Sequence, residues 1–143
     1  MQIWKISPEG GNITQVTKRG GFEPVESPDG KYIYYAKGLN TDGIWRVPVE
    51  GGEETLIVNV FKAGYLRYWT VVDNGIYFAT RETSRPTIQF FDFATNQLTE
   101  VAKLEKPLLA GNPGLSISPD GRWLLYSQID QNNNDIILIE NFR

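Results

Sequence analysis

Residues 27–35 read Ser27-Pro28-Asp29-Gly30-Lys31-Tyr32-Ile33-Tyr34-Tyr35, and residues 118–126 repeat the pattern as Ser118-Pro119-Asp120-Gly121-Arg122-Trp123-Leu124-Leu125-Tyr126. Proline fixes φ at the second position of a turn, aspartate hydrogen-bonds the backbone ahead of it, and glycine takes a positive φ that a side chain resists. The aromatic and aliphatic residues that follow favour a pleated, packed strand. Each stretch therefore predicts a tight turn feeding a buried strand. Between the two copies lies Val72-Asp73-Asn74-Gly75-Ile76-Tyr77-Phe78, where Val71-Val72 replaces the Ser-Pro. Aligning Ile33, Ile76 and Leu124 gives spacings of 43 and 48 residues.

A second set interleaves with the first. Ile3-Trp4-Lys5-Ile6, Ile44-Trp45-Arg46-Val47, Ile88-Gln89-Phe90-Phe91 and Ile136-Ile137-Leu138-Ile139 begin 41, 44 and 48 residues apart. The turns Glu9-Gly10-Gly11-Asn12, Glu50-Gly51-Gly52-Glu53 and Ala94-Thr95-Asn96-Gln97 follow the first three, and short strands carrying Thr14, Thr55 and Thr99 come next. A period in the forties built from short strands reads as a β-propeller with four antiparallel strands per blade. No window shows an apolar stripe at helical spacing, so the expected class is all-β.

These strand-and-turn units resemble the blades of TolB-like, WD-repeat-like bacterial propellers. The resemblance is clearest at residues 22–58 and 112–140 and weaker at 65–102. It implies a scaffold or binding role, the C-terminal part of a longer propeller, and no catalytic residues to transfer. Naming blade strands A to D outward from the axis, C and D fall at 2–6 and 13–17 within a half blade at 1–17. Complete blades follow at 22–58 and 65–102, then an incomplete one at 112–143 with strands at 112–118, 122–128 and 134–140. About three blades fall short of the four that the smallest propellers use. Either a longer chain or a second copy must complete the ring. The favoured expectation is a homodimer formed by strand exchange, with strand D of one chain completing the last blade of the other. Two arcs of three make six blades, and rings of seven or eight stay open.

Composition limits the chemistry. The 143 residues are 41% hydrophobic and 22% charged, the profile of a globular domain. The absence of cysteine and histidine removes disulfides, thiolate ligands and the usual imidazole acid–base and triad groups. A net charge of −3 gives no support to nucleic-acid binding. The N-terminal residues lack the pattern of a signal peptide, and no apolar run approaches the ~20 residues of a membrane span. The Asp-Gly turns lack the acidic repeat of a calcium loop, and Gly30 and Gly121 directly follow their aspartates, unlike a sialidase aspartate box. The expectation is a non-enzymatic scaffold with no cofactor and no metal, binding a protein or peptide. The alternative is the substrate-gating propeller of a hydrolase or peptidase whose catalytic domain lies elsewhere.

Loops of a propeller fall on two faces. The long B–C and D–A loops carry eight basic and five acidic residues, a net of +3, whereas the A–B and C–D turns carry two and seven, a net of −5. Long loops on a rigid scaffold are where binding concentrates. Lys18, Arg19, Arg81 and Arg85 on the basic face are therefore candidate contacts for an acidic partner. Tyr65, Arg67 and Trp69 cluster on one inner strand, which makes them candidates to line the axial channel, with core packing as the competing role. Trp4, Trp45 and Trp123 occupy repeat positions expected to pack between blades.

Overall fold

The two Ser-Pro-Asp-Gly turns close through the same set of hydrogen bonds. The Ser27 hydroxyl donates to Asp29 Oδ1 at 2.7 Å and accepts the Tyr32 N–H at 3.0 Å, while Gly30 N–H donates to the Ser27 carbonyl at 2.9 Å. In the second copy Ser118 donates to Asp120 Oδ1 at 2.6 Å and accepts the Trp123 N–H at 3.0 Å, and Gly121 N–H reaches the Ser118 carbonyl at 2.9 Å. The glycines sit at φ of 69° and 71°, the left-handed region that penalises a Cβ. Each turn therefore has its donors satisfied locally and releases the chain in register for the next strand.

The computed structural model describes residues 1–38, 41–59, 68–80, 85–108 and 114–130. The elements are β1 (Trp4–Lys5), β2 (Thr14–Gln15), β3 (Phe22–Glu26), β4 (Tyr32–Gly38), β5 (Thr41–Pro48), β6 (Thr55–Val58), β7 (Trp69–Val72), β8 (Gly75–Ala79), β9 (Thr87–Asp92), β10 (Leu98–Lys103), β11 (Leu115–Ile117) and β12 (Leu124–Tyr126). All described elements are strands. They form two four-stranded antiparallel meanders, β3-β4-β5-β6 and β7-β8-β9-β10, with two-stranded sheets β1-β2 and β11-β12 at either end of the sequence. The predicted strand at 134–140 lies outside the described residues.

Register reproduces the repeat pair by pair. Ile33 opposes Val47 in the first meander, and Ile76 opposes Phe91 in the second. Lys5 opposes Thr14, Arg46 opposes Thr55 and Phe90 opposes Thr99, so the three threonines occupy one position. The pairs Val25–Tyr34, Thr70–Tyr77 and Ser116–Leu125 are likewise equivalent. The second meander shortens its first turn to Asp73-Asn74 between the paired Val72 and Gly75. Its loss of two residues is an even number, so the alternation of side chains between faces survives.

That alternation buries both faces of each meander. On β4, Ile33 and Tyr35 join Val47, Ile3 and Val16 in a core against β1-β2, whereas Tyr34 joins Ile44, Val58, Ile76, Phe78 and Phe91 in a core between the meanders. On β8 and β9, Ala79 and Ile88 pack with Tyr68, Leu104, Leu108 and Leu115 toward β11-β12. Equivalent residues face the same way: Ile33 and Ile76 toward the preceding sheet, Ile44 and Ile88 toward the following one. Tyr34 and Phe93 stack across the central boundary, with ring centroids 5.7 Å apart.

The end sheets depart from the expected packing of tryptophan. Trp45 is half-buried against the first core, yet its repeat equivalent Trp4 is 56% exposed and Trp123 is 64% exposed. Each lies on the side of its end sheet where no described strand follows. Among the described residues the fold is therefore a stack of blade-like sheets, with Trp4 and Trp123 exposed at its two ends.

Truncating Phe78 to Ala at the fully buried central boundary should cost about 3–5 kcal/mol, measured as a lower urea midpoint. Ser27→Ala should cost about 1 kcal/mol because the buried Ser27 hydroxyl, which accepts the Tyr32 N–H, is lost, and Ser118→Ala, in the more exposed copy, should cost less.

Candidate binding site

The inner strands come together. β7 packs against both β3 and β11, so the innermost strands of three sheets lie side by side. The register equivalents Val25, Thr70 and Ser116 converge on one groove of about 420 Å³, completed by Trp69, Leu125 and Tyr126. Residues from one repeat position meet in one cavity because β7 neighbours both β3 and β11. Hydroxyls, methyls and aromatic edges line it, a set suited to hydrogen bonding and apolar contact.

Trp69 takes the core-packing role and also borders the groove. Its side chain is 2% exposed and belongs to the central core, and its remaining surface forms part of the groove wall. Tyr65, Arg67 and Arg81 lie outside the described residues. Arg85 is exposed at the start of the segment leading into β9.

Lys18 and Arg19 have exposed side chains, but their backbones do something the sequence did not suggest. Both N–H groups donate to Glu54 Oε1, at 2.7 Å and 3.1 Å. The other oxygen of Glu54 pairs with Lys37 Nζ at 2.9 Å, and that ammonium lies 3.6 Å above the Trp45 ring. Glu54 is 7% exposed and Lys37 12%, so this is a largely buried cluster joining the loop after β2 to the first meander. Gly20 helps make the approach possible: at φ 95° it would place a Cβ 2.7 Å from the Lys37 carbonyl. The hydroxyl of Tyr35 is buried nearby with no hydrogen-bond partner among the described residues. Burial and then the Glu54 charge push its pKa far up, so it stays neutral. Glu54, one of the seven acidic residues counted on the A–B and C–D turns, is therefore turned into this cluster.

Its signature was present in the repeat. The register equivalents of Glu54 are Ile13 and Leu98, so one copy carries a carboxylate where the others carry exposed apolar residues. A charge that breaks an apolar repeat position marks a specific partner.

Two further clefts lie at the turns. A cleft of about 500 Å³ runs between Pro28, Val72, Asp73, Tyr77, Ser118 and Asp120, and a neighbouring one of about 300 Å³ includes Asp29, Tyr34, Arg46 and Phe93. Hydrogen bonds from Ser27 and the Lys31 backbone hold the Asp29 carboxyl below its usual range, and Ser118 and Arg122 do the same for Asp120. Arg46 stacks 4.3 Å over Tyr32, placing one cation among these groups.

Among the described residues, no group of three or more His, Cys, Asp and Glu side chains is placed to hold a metal ion. No known family model matches the chain, and no curated protein is significantly similar to it.

Glu54 sets a pH dependence. Burial raises its pKa, but the Lys18 N–H, the Lys37 ammonium and the Arg19 N–H outweigh burial and hold it below 4.5. A depressed native pKa contributes stability above the unfolded value that is lost as pH falls through the folded one. Glu54→Gln should lower the urea midpoint at pH 7, and its deficit against wild type should shrink below about pH 4.

Proposed function

We propose that this chain is part of a TolB-like β-propeller that works as a non-enzymatic scaffold, holding a protein or peptide segment at its inner-strand groove. The observation that carries this reading is the convergence of Val25, Thr70 and Ser116, one repeat position from three sheets, on a single open groove. Convergence of equivalent inner strands is what a propeller axis requires. A lining of hydroxyls and apolar edges, flanked by core residues that cannot shift without cost, is suited to extended backbone and small side chains. The exposed Lys18, Arg19 and Arg85 would then meet acidic residues flanking the bound segment.

The test is selection from a random peptide library displayed on phage, using the full chain as bait. Recovered peptides should bind with affinities measurable by calorimetry. Thr70→Arg or Ser116→Arg, which fills the groove, should weaken them at least tenfold, and Lys18→Glu with Arg19→Glu should weaken those carrying acidic flanks. Peptides whose affinity ignores both groove substitutions would overturn the groove as the binding site.

A further inference from the structure

The sheet β1-β2 is tied to the first meander by one pair of opposite charges. Lys5 on β1 reaches Glu50 in the turn after β5, with Nζ 2.8 Å from Oε2. Arg46 on β5 holds the position of Lys5 one sheet further on, since Lys5 opposes Thr14 and Arg46 opposes Thr55. The residue standing in the place of Glu50 is then Ala94, in the turn after β9. Glu50 lies five residues before Thr55, and Ala94 five before Thr99, the threonine opposite Phe90. The two turns also pack alike, with Val49 on the core of the first boundary and Phe93 on the core of the second. The pairing carboxylate is thus missing at the central boundary, and among the described residues Arg46 forms no ion pair.

The cleft of about 300 Å³ opens beside Arg46. The guanidinium lies 4.3 Å over the Tyr32 ring and close to the Tyr34 hydroxyl, and Tyr34 in turn stacks on Phe93. Together with Val72 these rings make apolar walls, and two carboxylates complete the lining. Asp29 is already engaged by the Ser27 hydroxyl, the Lys31 N–H and the Lys31 ammonium at 3.2 Å. Asp73 has no hydrogen bond or ion pair to its carboxylate among the described residues. The cleft therefore offers one open cation and one open anion between aromatic and aliphatic walls. All of its lining comes from the two four-stranded meanders and the turns within them.

We infer that this cleft binds a free α-amino acid with an apolar side chain. The ligand's carboxylate takes on Arg46 the place that Glu50 fills on Lys5, and a guanidinium fork suits a carboxylate in two-point contact. Its ammonium meets Asp73, and its side chain lies against Phe93, Tyr34 and Val72. A ligand with only one of the two charges leaves either Arg46 or Asp73 desolvated without a partner, which costs affinity. A concave site with apolar walls and two placed polar groups is the usual form of a small-molecule pocket. This cleft and the inner-strand groove share no lining residue, so the two sites stand or fall separately.

The test is calorimetric titration of the full chain with leucine and phenylalanine. Each is run beside the amine that lacks its carboxylate (isoamylamine, phenethylamine) and the acid that lacks its ammonium (isocaproate, hydrocinnamate). At least one of the two amino acids should bind, one to a chain, and its single-charge analogues should bind at least tenfold more weakly. Arg46→Gln should weaken the amino acid at least tenfold. Ala94→Glu, at an exposed turn position, restores within the chain the carboxylate that Glu50 provides for Lys5. It should exclude the amino acid to the same extent while the urea midpoint falls no lower than that of wild type. Asp73→Asn should weaken the amino acid and leave the matching acid unaffected. Circular dichroism of each variant separates loss of the site from loss of the fold. The site is overturned if neither amino acid binds, if an amine binds as tightly as its amino acid, or if binding survives Arg46→Gln in a folded chain.

Discussion

The structure depends on a sheet having two faces that must both be covered. In a surface sheet one side of each strand meets water and alternate residues are polar. Here Ile33, Tyr34, Tyr35 and Ala36 are consecutive and all buried, which requires a neighbour on either side. A four-stranded meander of this kind stabilises itself only within a stack. The aromatic and branched residues at the boundaries, Tyr34, Phe78, Phe91 and Phe93 among them, provide that stack with close-packed interfaces.

The groove follows from the same constraint. If every sheet must present the same strand inward, residues of one repeat position are brought together without any of them being adjacent in sequence. Val25, Thr70 and Ser116 illustrate this, as do the turn residues Pro28, Asp73 and Asp120 lining one cleft on the other side. Repetition thus creates shared cavities, and departures from repetition give them individuality. Glu54 is such a departure: its carboxylate ties the loop at Lys18 and Arg19 to Lys37, whereas its register equivalents Ile13 and Leu98 are exposed.

Much of the fold was legible because turns and periodicity are local. Ser-Pro-Asp-Gly specifies its own hydrogen bonds, and the observed geometry of both copies differs by no more than 0.1 Å in the bonds from Ser27 and Ser118. The all-β class followed from short strands bounded by turns at a regular period and from the absence of an apolar stripe at helical spacing. The packing of Trp4 and Trp123 did not, since their repeat positions match those of Trp45 and Tyr32 while their neighbours do not. Repeat equivalence predicts which way a side chain points, and only the presence of a sheet on that side decides whether it is buried.

What the sequence alone determined about this protein is the repeat: its period, its turns, the residues at each strand position and the alternation that forces sheets to stack. Those are properties of short segments and survive translation along the chain. The tertiary structure decided which residues meet across segments: the groove at Val25, Thr70 and Ser116, the buried Glu54–Lys37 pair, and the exposure of Trp4 and Trp123. Such contacts depend on distances between residues tens of positions apart, and those distances exist only once the sheets have packed.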